Sequence, residues 1–179
     1  MASFVEQLTN QNFGNGYELV NGVAMHQQDG DRFQIPHPVL KKHIGAGHFV
    51  ELRVDSPRFS MHPDAPERCM CSFCNGDASK PVLSHVQPAS LVQLPHQSVP
   101  SRGWGEDFWA KVVEREGDVL RLIVDNPLYE SRLHSISIGD EILCHVDHVL
   151  AIHPSHRQQM VLGMNEADLR QLVEWLGTL

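Results

Sequence analysis

No stretch of this chain stays apolar for long. Its most hydrophobic runs, Val119-Leu120 and Leu122-Ile123-Val124, are broken by Arg121. A helix needs roughly 20 apolar residues to cross a bilayer, so a membrane-spanning helix is excluded and no membrane partner is expected. The N-terminus lacks the basic region of a secretory signal, since Met1-Ala2-Ser3-Phe4-Val5 runs straight into Glu6. The expected location is therefore the cytoplasm, a reducing compartment. Basic residues are few: 14 Lys and Arg stand against 22 Asp and Glu, a formal net charge of −8 with histidine neutral. Lys41-Lys42 is the only adjacent basic pair. An acidic surface without a basic stripe repels phosphate backbones, and no nucleic-acid partner is expected.

Several catalytic signatures are missing too. There is no G-x-S-x-G elbow, no phosphate-binding loop and no dinucleotide fingerprint. No His is followed two residues later by Glu, and Met70 precedes Cys71 where a zinc deaminase needs proline. No catalytic or cofactor-binding residue is assigned.

What is present fits one domain. A chain of 179 residues with 41% hydrophobic content can bury one core but is cramped for two. Residues 1–30 read as an accessory segment. Phe4, Val5 and Leu8 share a short helical face, and residues 17–25 read as a strand interrupted by Asn21-Gly22, a hairpin-turn pair. Residues 31–153 form a β-rich core, interrupted at about 57–103 by a Cys-rich insertion. Pro38 opens a brief helical turn; residues 48–54 (HFVELRV), 108–114 (FWAKVVE), 119–125 (VLRLIVD), 141–146 (EILCHV) and 149–152 (VLAI) read as strands. A further short strand is expected at residues 90–94. Residues 164–177 change period: Asn165 is a helix cap, and Leu169, Leu172, Val173 and Leu176 form an apolar stripe. The expected fold class is α+β, mainly β. It is a small SH3-like or open barrel of short antiparallel strands, with a C-terminal helix and a zinc-loop insertion.

The segments Arg32-Phe33-Gln34-Ile35-Pro36 and 45–52 (GAGHFVEL) resemble the opening of the uncharacterised bacterial YegJ-like small β-rich domains. Residues 106–112 (EDFWAKV), Asp118 with Asp125-Asn126-Pro127, and Ile138-Gly139-Asp140-Glu141-Ile142 resemble that family's later strand, hairpin and strand start. The resemblance spans about residues 32–152 and implies a bacterial β-rich domain. That family has no established activity to carry over.

The densest chemistry is Cys69-Met70-Cys71-Ser72-Phe73-Cys74, spaced C-x-C-x2-C and followed by Asn75-Gly76. Two thiolates in a C-x2-C turn can clamp one tetrahedral zinc ion, and a reducing setting favours metal over disulfide. The metal site is therefore read as Cys69, Cys71, Cys74 and His85, with His62 or Cys144 as alternative fourth ligands. Free or redox-active thiols are the competing reading, although the βαβ setting of a redox C-x2-C is missing. Cys144 shares a face with Ile142 and Val146 and is expected in the core. His145-Val146-Asp147-His148 is a fragment of a metallo-hydrolase signature, but a strand would aim His148 away from His145 and Asp147. The 12 histidines are scattered from His26 to His156, and each alone reads as a surface or core group. Trp104, beside Gly103 and Gly105, is a local packing group or a partner contact.

A three-cysteine, one-histidine zinc site has no open coordination position. The expected function is therefore a zinc-stabilised, non-enzymatic binding or interaction module with a protein partner. A metal-dependent, hydrolase-like enzyme using the Cys and His groups is one alternative. A structural, assembly or immunity-type protein is the other.

Overall fold

The computed structural model describes residues 2–30, 33–56, 84–85, 97–98 and 104–178. Helix α1 (Phe4–Asn10) begins with a reciprocal cap. The Glu6 amide donates to Ser3 Oγ at 3.2 Å, and the Ser3 amide donates to Glu6 Oε2 at 2.9 Å. Strand β1 (Glu18–Leu19) follows, then α2 (Gly22–Asp29) and α3 (Pro38–Lys42). The strands are β2 (Phe49–Ser56), β3 (Ser84–His85), β4 (Gln97–Ser98), β5 (Trp104–Glu116), β6 (Val119–Val124), β7 (Glu141–His145) and β8 (Ala151–Ile152). Helix α4 (Ser131–His134) precedes β7, and α5 (Arg157–Leu162) and α6 (Glu166–Leu176) follow β8.

The sheet is an antiparallel meander that curls back on its first long strand. β2 pairs β5, β5 pairs β6 and β6 pairs β7. The chain then makes a 3₁₀ turn at Val146–His148, and β8 returns to the other edge of β2. β1 occupies the rest of that edge, with Glu18 opposite Asp55 and Leu19 opposite Val54. The result is a nearly closed, SH3-like barrel of mainly antiparallel strands with a C-terminal helix. Alternation along β2 and β5 sends Val50, Leu52, Val54, Phe108, Ala110 and Val112 inward, each at most 1% exposed. They meet Leu120, Leu122, Val124, Ile142 and Cys144 from β6 and β7. Burying each large apolar side chain contributes roughly 1.5–3 kcal/mol, so this interior is the main source of stability. Gly117 makes the two-residue β5–β6 turn at φ +60°, a conformation that favours glycine.

Two local readings change. Asn21-Gly22 is not a hairpin turn: the Asn21 side chain accepts the Ala24 amide at 2.9 Å and caps α2, so residues 17–25 are only briefly extended. Asn suits turns and helix caps alike, and packing decides between them. A Cβ on Gly22 would meet Leu150 Cδ2 at 2.7 Å, so this helix start is pressed against the barrel. In α6, Leu172 is buried but Val173 is 67% exposed, narrowing the stripe to Leu169, Leu172 and Leu176. Helices α4 and α5 are too short to show a period in sequence. The strand expected at residues 90–94 lies outside the described residues.

The edge of β7 not facing β6 meets the segment after α1. Gln11 Oε1 accepts the Leu143 amide at 2.7 Å, and Gln11 Nε2 donates to the Leu143 carbonyl at 2.8 Å. At the other end, Asp168 ties α6 to α3 by accepting from Lys42 Nζ at 2.7 Å and His43 Nε2 at 2.8 Å.

Candidate functional site

The face of β2 and β5 away from the core carries charge. Glu51, Arg53 and Asp55 alternate with the inward valines and leucine, and they lie opposite Trp109, Asp107 and Gly105. These charged side chains are buried: Arg53 is 0% exposed and Asp55 1%. Arg53 Nη1 donates to Asp107 Oδ1 at 2.8 Å. Gly105 makes room for the guanidinium, because a Cβ there would stand 2.7 Å from Arg53 Nη2. Burial first, and then the neighbouring Asp107, push the Glu51 carboxyl up to about 9, against the opposing pull of Arg53. Burial likewise raises Asp107 to about 6, again opposed by Arg53. A guanidinium therefore sits between two carboxyls that hold protons unusually well, the kind of perturbed cluster found where ligands are read.

Beyond Glu51 the same face becomes aromatic. Phe49, Trp109, Asp125, Asn126, His153 and Ser155 line a cavity of about 270 Å³. Its walls are fixed by the backbone: the Trp109 amide donates to Asn126 Oδ1 at 2.6 Å, and the His153 amide donates to the Phe49 carbonyl at 2.9 Å. The His153 ring meets Trp109 edge-on with centroids 5.3 Å apart, and His156 stacks on Phe49 at 5.7 Å. The Phe49 amide donates to His156 Nε2 at 3.0 Å, which leaves Nδ1 to carry the proton of a neutral ring. Burial lowers the His48 and His156 pKa values, and for His156 the neighbouring His48 and His153 add to the fall.

A second polar group lies on the core-facing side of β5, next to Asp107 in sequence. Glu106, 4% exposed, accepts the Tyr129 amide on Oε1. Its Oε2 accepts the Glu130 amide at 3.0 Å and His134 Nε2 at 3.3 Å. His134 Nδ1 accepts the Ile136 amide at 3.1 Å, which fixes the Nε2–H tautomer. With every bond directed to the 129–136 segment, this group holds α4 in place.

Most residues of the expected zinc site fall where the structure describes nothing. Cys69, Cys71, Cys74 and His62 lie outside the described residues. His85 belongs to β3, which pairs β4 with His85 opposite Gln97. Cys144 is a free, fully buried core thiol whose pKa burial pushes up. Trp104 opens β5 opposite Ser56. In the H-x-D-H segment, His145 Nδ1 stands 3.2 Å from Asp147 Oδ2, while the His145 and His148 rings are 6.4 Å apart. Among the described residues, no group of three or more His, Cys, Asp or Glu is placed to hold a metal ion.

Sequence reasoning missed the polar face of β2 and the aromatic cavity. The signal for the first was the E-x-R-x-D alternation of Glu51, Arg53 and Asp55 inside a strand, where only one face needs to be apolar. The cavity had no such signal, because β8 brings His153 beside Trp109 only through long-range pairing. No known family model, curated protein or solved structure matches this chain.

Proposed function

We propose that this chain is a non-enzymatic binding module whose barrel takes a planar, uncharged or cationic heteroaromatic ring in the Phe49–Trp109–His153 cavity. The observation carrying this reading is that cavity of about 270 Å³, walled by aromatic rings and edged by Asp125, Asn126 and Ser155. Aromatic walls hold a flat ring by stacking, and the few polar groups at the edge fix its orientation. Asp125 and a net charge of −8 disfavour polyanions. The buried Glu51–Arg53–Asp107 row stiffens the strands that carry Phe49 and Trp109. Membership of the YegJ-like family is compatible with this reading and adds no activity to it.

The insertion is proposed to hold one zinc ion through Cys69, Cys71, Cys74 and His85, as a scaffold and without a catalytic role. Metal analysis of reduced protein tests that part: Cys71→Ser or Cys74→Ser should abolish stoichiometric zinc, and retained zinc in both would refute it. The ligand reading is tested by calorimetric titration of the full chain with free nucleosides and a cationic aromatic dye. At least one should bind with Kd below about 1 mM and lose at least tenfold in the His153→Ala variant. Absence of binding by every probe, or binding unchanged in His153→Ala, would sink it.

A further inference from the structure

A separate cavity of about 180 Å³ lies against α3. Val23, Ile35, Pro36 and Pro38 form its apolar wall, and Lys41 and Asp147 stand in its lining. Two other cations border it, and both are engaged. Lys42 is paired with Asp168. Arg115 Nη1 donates to the carbonyls of Lys41, Lys42 and Ile44 at 2.8–3.1 Å, closing the C-terminal end of α3. Lys41 differs from both. It is 5% exposed, and its Nζ has no hydrogen-bond partner among the described residues.

An amine buried against apolar walls without an acceptor is the arrangement that frees a lysine lone pair for nucleophilic chemistry. Its backbone is held by Pro38 at the start of α3 and by Arg115 at the end. We propose that Lys41 is a carbonyl-reactive lysine that forms a reversible imine with a short aliphatic aldehyde admitted to this cavity. The Nζ lone pair attacks the carbonyl carbon while the C=O π pair moves to oxygen. A proton passes from nitrogen to that oxygen, giving a carbinolamine. The carbinolamine expels its hydroxyl, after protonation, as water, and the C=N bond forms. Asp147, in the same lining but beyond hydrogen-bond distance of Nζ, can take up the ammonium proton and return it to the departing hydroxyl through an intervening water. No oxidant or reductant is needed.

The charge state supports the geometry. Burial lowers the Lys41 pKa to about 8, with Asp147 pulling the other way. At pH 8 about half of Lys41 is free amine, against roughly one part in 300 for an ordinary lysine.

The test is reductive trapping of the full chain with propanal and cyanoborohydride at pH 8, followed by peptide mass mapping of Lys41, Lys42, Lys80 and Lys111. Lys41 should be alkylated at least about tenfold faster than the other three. Labelling of Lys41 no faster than theirs would overturn the proposal. Lys41→Met, apolar and of similar length, should remove the fast phase, and a surviving fast phase would also overturn it. Val23→Phe fills the cavity and should slow Lys41 to the rate of the other lysines; undiminished Lys41 labelling would show that the cavity plays no part.

Discussion

Replacing Glu106 by Gln keeps the shape of the side chain and removes its charge. The carboxylate accepts three N–H groups, from Tyr129, Glu130 and His134. An amide has one acceptor oxygen, so in either flip its NH₂ faces at least one of those donors. The less damaging flip keeps the bonds to Glu130 and His134 and turns the NH₂ toward the Tyr129 amide. That loses one charge-assisted bond, worth roughly 1.5–3 kcal/mol, and sets two donors against each other. The expected cost is about 2–4 kcal/mol. For a chain of 179 residues, each kcal/mol moves Tm by about 2–4 °C, so a fall of roughly 4–16 °C is expected. Thermal unfolding by circular dichroism measures it, with Glu114→Gln as control, since that side chain is 59% exposed. His134→Ala should be strongly non-additive with Glu106→Ala, which, unlike Glu106→Gln, removes the bond the two side chains share. A Glu106→Gln protein melting within a degree of wild type, or additive double-mutant costs, would refute the assignment of Glu106 as the anchor of α4.

Three further outcomes follow from the geometry. Gly105→Ala should cost about 1–3 kcal/mol by overpacking, because the new methyl would press on a guanidinium held at 2.8 Å by Asp107; urea unfolding with an unchanged midpoint would show that Arg53 yields freely. Burial, followed by His145, lowers the His148 pKa to about 4, so the unfolded chain takes up the proton first; the contribution is full above about pH 6.5 and is lost as pH falls toward 4, by up to about 3 kcal/mol. His148→Gln should flatten that part of the stability–pH curve, and parallel curves for the two proteins would contradict it. Asp168→Ala should release α6, raising amide exchange there while leaving β2 and β5 protected; the Lys42 and His43 hydrogen bonds hold the Asp168 pKa down, so acid below its ordinary range should mimic the substitution in the wild type.

The strands of the barrel were readable because their patterns are local. Residues 119–125 alternate around Arg121, and Gly117-Asp118 and Gly139-Asp140 mark their own turns. The C-terminal helix announced itself through Asn165 and the spacing of Leu169, Leu172 and Leu176. Asn21 was ambiguous because its side chain can close a turn or cap a helix, and only the contact of Gly22 with Leu150 selects the helix. The candidate site was less legible. Glu51 and Arg53 sit in a run that looks like half-exposed strand, yet both are buried, and burial is not a property of the run itself. His153 and Trp109 are far apart in sequence and meet only because β8 returns to β2. Conversely, the cysteine spacing is the loudest chemical signal in the chain, and Cys69, Cys71 and Cys74 lie outside the described residues.

Gln11 has a consequence for what happens when the N-terminus is lost. A single side-chain amide imitates the next rung of the ladder at Leu143, so the last strand of the meander ends on a decoy. Clipping the first dozen residues would strip away that decoy and the Phe4 cover over Val119 and Leu143. The bared rung would then be free to recruit a neighbour's backbone, turning a covered edge into a seed for chain-to-chain stacking.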